Sequence, residues 1–303
     1  MVLTQTAMPN RSRRMVRVGE QRRGIAAVSA ALCIVTLIIG SFGLMGCSSG
    51  GTYPIDPEDV AGNIPPVETF FGPEATAVVA GQTVSVGRSF AQIQGGEPVA
   101  IGFELREGAI DDLPNPPFDQ PGVYISPLPQ QVFALVPFRA FAMSDWSGHS
   151  PVGIGDVPHV HPVALLQPPQ PNAPPFDPER TPVAPAEVPA GYIPATLVPA
   201  VGNGAIAPGI GIAYEYPAAP QLQPGWNTIA TNYFFYNGHM NGIGMGATYD
   251  FLRSRASASL DIAQPQVYPR AGWYPTRNSV TYDPVKRVHV FKLDNFVRAQ
   301  NVL

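Results

Sequence analysis

The chain has 303 residues, 45% of them hydrophobic and only 13% charged, with 36 prolines and 30 glycines. That is enough apolar material for a packed core and excludes a disordered chain, while so many helix-breaking residues predict short strands joined by stiff loops. Six of the eighteen basic residues but one of the twenty-two acidic ones precede residue 47, leaving a net charge near −9 from there on, and such a surface excludes nucleic acid as a partner.

In chain order, the first element is an arginine-rich stretch (Arg11, Arg13, Arg14, Arg17, Arg22 and Arg23) followed by the apolar run Ile25–Gly46. A basic n-region before an apolar segment reads as an export signal over residues 1–46, although the run is also long enough to span a bilayer as an uncleaved anchor. The long n-region leaves Met8 and Met15 open as alternative starts. The two cysteines are Cys33, inside the run, and Cys47 at its end, so the mature domain has no thiol for a disulfide or a nucleophile.

Residues 47–67 are polar and rich in turn formers, as expected of a flexible tether. A single β-rich domain is expected over 68–298, with a tail at 299–303. "TAVVAGQTVSVG" (76–87) reads as two strands around a Gly-Gln turn. "EPVAIGFELREG" (97–108) alternates apolar and polar positions as a half-buried strand does. "EGAIDDLP" then predicts one helical turn ended by Pro114. Further strands are expected around 131–146, 157–166, 205–216, 228–236 and 287–291, with one short helix over 246–257. Between Pro162 and Pro199 lie twelve prolines, and their core, 168–190, is expected to be a stiff surface excursion with polyproline character. The expected fold class is therefore α+β but predominantly β: an antiparallel, sandwich-like domain with a few short helices and a long Pro-rich loop.

The junction "LMGC" resembles the bacterial lipobox, with Leu44 at −3, Gly46 at −1 and Cys47 as the lipidated residue that becomes the mature N-terminus. The resemblance implies a lipoprotein signal peptide and a palmitate-type acyl anchor in the bilayer through Cys47, each buried methylene contributing about 0.8 kcal/mol of membrane affinity. Ser48 after the cysteine resembles the sorting signal for an outer membrane, where the cell has one. "SRRMVR" from Ser12 partly resembles a twin-arginine signal but lacks the usual following aromatic residue.

"DVPHVHP" carries the strongest site pattern. In a strand, residues two apart share a face, so His159 and His161 can reach one metal ion. A zinc site needs a third or fourth donor, and His149, His239, Asp145 and Glu215 are the candidates. Pro158 and Pro162 bracket the pair and suggest an edge strand or loop mouth, where histidines are commonly just solvated. The glycines of "NGHMNGIGMGA" (237–247) lack the lysine and the spacing of a phosphate loop and read as a tight turn with close backbone packing. No G-x-S-x-G elbow is present. "SDWSGHS" (144–150) places Ser, Asp and His near each other, but triads are set in space and not by adjacency. Asp111 and Asp112 read as a solvated face, and Trp273, Tyr274 and Tyr282 as core aromatics before a sugar platform. No catalytic residue and no cofactor is assigned.

"PVAIGFELREGAIDDLP" (98–114), "GHSPVGIGDVPHVHP" (148–162), "PAGYIPA" (189–195), "YFFYNGHMNGIGMGATYDFL" (233–252) and "YPRAGWYPTRNSVTYD" (268–283) together resemble a domain-of-unknown-function family of exported bacterial proteins of the Thermus type. The resemblance implies export and a β-rich fold, not a reaction. In the family pattern a histidine after "DVP" is followed by an Asp, a second His, a later His and a Glu, a set suited to a metal. Here His159 fills the first slot, but His161, Val163, Ala213 and Gly244 occupy the rest. The sequence thus points to a lipid-anchored protein of the bacterial cell envelope that acts by binding or structure, with an envelope protein, a second copy or a small ligand as partner. The alternative is a metal-binding protein or metal-dependent enzyme using His159 and His161.

Overall fold

The computed structural model describes residues 64–149, 155–167, 198–199, 206–207, 210–215, 220–236 and 239–302. The leader, Cys47, most of the tether and the excursion 168–190 lie outside the described residues.

The described chain is mostly β and forms two antiparallel sheets, with two short helices, as the composition predicts. The first sheet opens with β1 (Glu68–Val79), β2 (Gln82–Gln94) and β3 (Glu97–Arg106). β1 and β2 are joined through Ala80 and Gly81, whose φ angles of 50° and 80° give the twist that a two-residue hairpin requires. Helix α1 (Ala109–Asp112) then carries the chain to the second sheet through β4 (Gly122–Pro127), β5 (Ala140–Trp146) and β6 (His159–Leu165). That sheet continues with β7 (Val198–Pro199), β8 (Ile206–Ala207), β9 (Gly211–Glu215), β10 (Ile229–Tyr236) and β11 (His239–Thr248). Helix α2 (Tyr249–Arg253) returns the chain to the first sheet for β12 (Ala258–Asp261), β13 (Trp273–Asp283) and β14 (Val288–Arg298). The spatial orders are β1-β2-β3-β14-β13-β12 and β4-β5-β6-β11-β10-β9-β7, with β8 also paired to β9.

The core lies between the sheets. Ile101, Phe103, Leu105, Phe291 and Leu293 from one sheet meet Phe141, Met143, Phe235, Ile243 and Met245 from the other. The Phe103 and Phe141 rings tilt together at 6.3 Å between centroids. Asn278 on β13 crosses this core and donates to the Ala230 carbonyl and the Thr231 hydroxyl on β10, both at 2.8 Å. At the opposite side Ser126 on β4 accepts from the Ser89 amide at 2.8 Å, and its hydroxyl donates to the Pro73 carbonyl at 2.6 Å. Asn278→Ala is expected to lower stability by about 1–3 kcal/mol, because Thr231 then loses a buried donor. A urea titration reads this as a lower midpoint with unchanged slope.

Three sequence expectations are corrected. The β3 strand is buried on both faces and not on one, because Phe90 lies across Gly102 and because Glu104 is paired with Arg88 at 3.1 Å and Lys286 at 2.8 Å. The helix expected over 246–257 is only α2; Gly246–Thr248 belong to β11, and the Thr248 hydroxyl caps the helix by accepting from the Phe251 amide at 3.2 Å. β6 is not an edge strand but sits between β5 and β11. Pro162 is accommodated because the β6–β11 pairing is registered at Val160 and again at Val163, and skips the positions of His161 and Pro162, while Pro158 precedes the strand.

Candidate functional site

Alternation along β6 turns Val160 and Ala164 into the inter-sheet core, and His159, His161, Val163 and Leu165 to the opposite, outer face. The neighbouring strands continue that face. β5 contributes Trp146 beside His159 and Ser144 beside His161, and β10 contributes Asn232 and Phe234. β11 contributes Gly242, Gly244 and Gly246, three glycines at strand spacing. They form a floor on which larger groups rest. A Cβ on Gly246 would stand 2.7 Å from His161 Cε1, and one on Gly244 would stand 2.5 Å from Phe234 Cε2. The expectation of close backbone packing is met, within strand β11; Asn237 and Gly238 of the expected turn lie outside the described residues.

The imidazoles gather on this floor. The His159 ring lies 4.9 Å from His149 and 5.0 Å from His161, close to perpendicular to both. Trp226, from the loop before β10, packs 5.0 Å from His159 and 6.2 Å from His161, and Trp146 stacks on His159 at 6.2 Å. His159 and His161 are both buried. His159 Nδ1 donates to the Val157 carbonyl at 2.6 Å, which fixes the tautomer and leaves a lone pair on Nε2. That Nε2 atom and His161 Nδ1 are buried with no hydrogen-bond partner.

A polar chain extends the cluster toward β9. Asn232 Nδ2 donates to Glu215 Oε1 at 2.6 Å, while Asn232 Oδ1, Glu215 Oε2, Trp226 Nε1 and both amide atoms of Gln221 find no partner. Burial pushes Glu215 up to about 7, against smaller opposing effects of Asn232 and Gln221. Burial holds His161 down at about 3, with His149 adding to the effect and Asn232 opposing it. Burial also drives His159 well below the ordinary histidine value, aided by His161 and His149. At neutral pH the histidine pair is therefore uncharged.

The site brings together three of the four histidines named from the sequence. His239 is not among them: Thr248 pairs with His159, and His239 stands nine residues back along β11, roughly 30 Å away at the rise of a strand. Asp145 also turns elsewhere, into the inter-sheet side, where it accepts from the Tyr249 hydroxyl and burial raises it to about 6. Among the described residues no three His, Cys, Asp or Glu side chains are arranged to hold a metal ion. Trp226, Gln221 and Asn232 were not singled out from the sequence. The G-x-G-x-G spacing of 242–246 was the available sign that a strand there carries a floor for bulky neighbours.

"SDWSGHS" supplies Trp146 and His149 to the cluster but no triad. The Ser144 hydroxyl donates to the His161 backbone carbonyl at 3.2 Å and accepts from Trp146 Nε1 at 3.3 Å, so it is not bonded to an imidazole. A concave region of about 750 Å³ lies on the other sheet between Glu74, Arg88, Glu104, Arg106, Glu107 and Arg287. Its glutamates are paired internally: Glu107 bonds Arg255 and Arg287, which hold its carboxyl down at about 2. No family model, curated protein or solved structure matches the chain.

Proposed function

We propose that the chain is a lipid-anchored protein of the bacterial cell envelope that works by binding, with the buried imidazole cluster on the outer face of the larger sheet as its binding centre. The observation that carries the binding half is the set of buried, unpartnered polar atoms converging on one glycine-floored face. Each such atom costs about 1–3 kcal/mol when left unsatisfied, and a bound ligand offsets that cost. Binding is favoured over nucleophilic catalysis because the hydroxyl beside the histidines is engaged with backbone and tryptophan. The anchor rests on the "LMGC" junction after an apolar run, and the resemblance to exported bacterial proteins supports the same location. Among the described residues no helix is long and apolar enough to cross a membrane.

Fatty-acid labelling of the expressed protein tests the anchor. Label is expected on the wild type and absent from Cys47→Ser, with the variant released from the membrane fraction. Label retained by the variant, or unlabelled wild type in the cytosol, refutes the reading.

A further inference from the structure

The cleft on the smaller sheet carries more cation than its carboxylates use. Glu104 and Arg106 stand two apart on β3 and share a face. Arg88 lies across from Glu104 on β2, and Val288 lies across from Arg106 on β14. Lys286 and Arg287 come from the turn just before Val288, where Asp283 Oδ1 accepts from the Val285 and Lys286 amides at 2.9 and 3.0 Å. Arg88 and Lys286 clasp the buried Glu104 carboxylate, one at each oxygen, at 3.1 and 2.8 Å. Arg255 and Arg287 clasp Glu107 in the same way. Two carboxylates thus hold four cations, in a domain whose net charge is near −9. Glu74 faces Arg106 at 3.6 Å and takes the Ser85 hydroxyl at its other oxygen. Asp112 is the lining carboxylate without a cation among the described residues, and the balance stays positive after it is counted.

The hydrogen-bonding capacity left over is mainly that of donors. Both oxygens of Glu104 and both of Glu107 already accept. Among the described residues Arg88 and Arg287 each donate through Nε alone, and the contact of Arg106 is too long for a hydrogen bond. Three guanidinium groups therefore keep their terminal N–H groups, and such forks pair with oxyanions two bonds at a time. The forks are accessible, the Arg106 side chain being 56% exposed and that of Arg287 75%. A carboxylate has two oxygens and fills one fork, whereas a phosphate brings more acceptor oxygens and up to two charges and engages several. The volume of about 750 Å³ is that of a small-molecule site and exceeds what a bare phosphate ion fills.

We propose that this cleft binds a phosphate-bearing ligand of small-molecule size, its phosphate seated on Arg88, Arg106 and Arg287 with Lys286 beside them. The site lies on the other sheet from the imidazole cluster and does not depend on it.

The test is calorimetric titration of full-length protein in a non-ionic detergent with two soluble probes. Glycerol 3-phosphate is a free monoester, and glycerophosphoglycerol is the diester headgroup of a common phospholipid. Saturable binding is expected, weakening as sodium chloride is raised. Preference for the monoester assigns a free phosphate compound, and preference for the diester assigns a lipid headgroup. Arg106→Gln and Arg287→Gln are each expected to weaken binding by about tenfold or more. Both side chains are exposed, and Arg255 still holds Glu107 when Arg287 is replaced. Asp112→Asn is expected to tighten binding by about two- to fivefold, because it removes a like charge from the cleft. Folded wild type that binds neither probe saturably, or binding that neither arginine substitution weakens, overturns the proposal. The wild-type titration needs no variant, so a misfolded substitution does not blunt the test.

Discussion

Acidification is expected to destabilise the domain, and more steeply below about pH 4.5 than just above it. His159, His161 and His289 are all held below the ordinary histidine value of 6.5 by burial, His161 to about 3 and His289 to about 4. Below pH 6.5 the unfolded chain takes up protons at these positions and the folded chain does not. Each therefore removes about 1.4 kcal/mol of stability per pH unit. Glu215 and Asp145 act in the opposite sense. Burial raises them to about 7 and about 6, so the folded state takes up their protons first. Glu215 offsets one histidine between pH 7 and 4.5, and Asp145 offsets a second between pH 6 and 3.8. The net loss is thus about two proton equivalents per unit between pH 6.5 and 6, about one between pH 6 and 4.5, and at least about two below, where Glu215 no longer helps and Glu107, held at about 2, adds to the loss.

Urea midpoints measured in the presence of chelator across pH 7.5 to 3.5 check this. Glu215→Gln should steepen the decline above pH 4.5 and raise stability above pH 7, because an amide carries no charge to bury. His161→Gln should flatten the decline by about one equivalent. A midpoint that does not change between pH 7 and 4 contradicts the burial of these groups.

Gly246→Val is expected to cost roughly 1–3 kcal/mol, the usual penalty for overfilling a packed region, although the residue is small and faces away from the main core. Its Cβ would meet the His161 ring at 2.7 Å and the Ala230 Cβ at 3.1 Å, and that ring is itself hemmed in by His159 and Trp226. The decisive measurement is a double-mutant cycle with His161→Ala. Removing the imidazole should relieve most of the penalty, giving a coupling of about 1 kcal/mol or more. Additive effects would mean that the glycine floor does not support the ring.

Local signals in the sequence reached the fold wherever pairing partners were close in the chain. The β1–β2 hairpin, β3 and the turn of α1 follow from alternation and turn residues within a few positions. β11 was hidden because its outward side chains are hydrogens at Gly242, Gly244 and Gly246, so no apolar alternation marks that face. β13 was read only as an aromatic cluster, since Pro275 near its start argues against a strand, although it pairs with β14 along its length. β6 was placed at an edge by its prolines; only the missing registration toward β11 shows how a central strand tolerates them. The histidine pair was legible because strand geometry alone places i and i+2 together. Trp226, Gln221 and Asn232 are not, since their stretch, 220–236, reaches the histidines only when the fold lays β10 two strands from β6.

The order of the smaller sheet bears on when the fold can close. β3, made early, has β14 as its second neighbour, and the paired residues Arg106 and Val288 stand 182 positions apart (288 − 106). A ribosome-bound chain therefore cannot finish that sheet until its last strand has emerged, and such distant pairing is intrinsically slow. A sheet that stays incomplete throughout synthesis leaves the chain threadable, a property on which the proposed export depends.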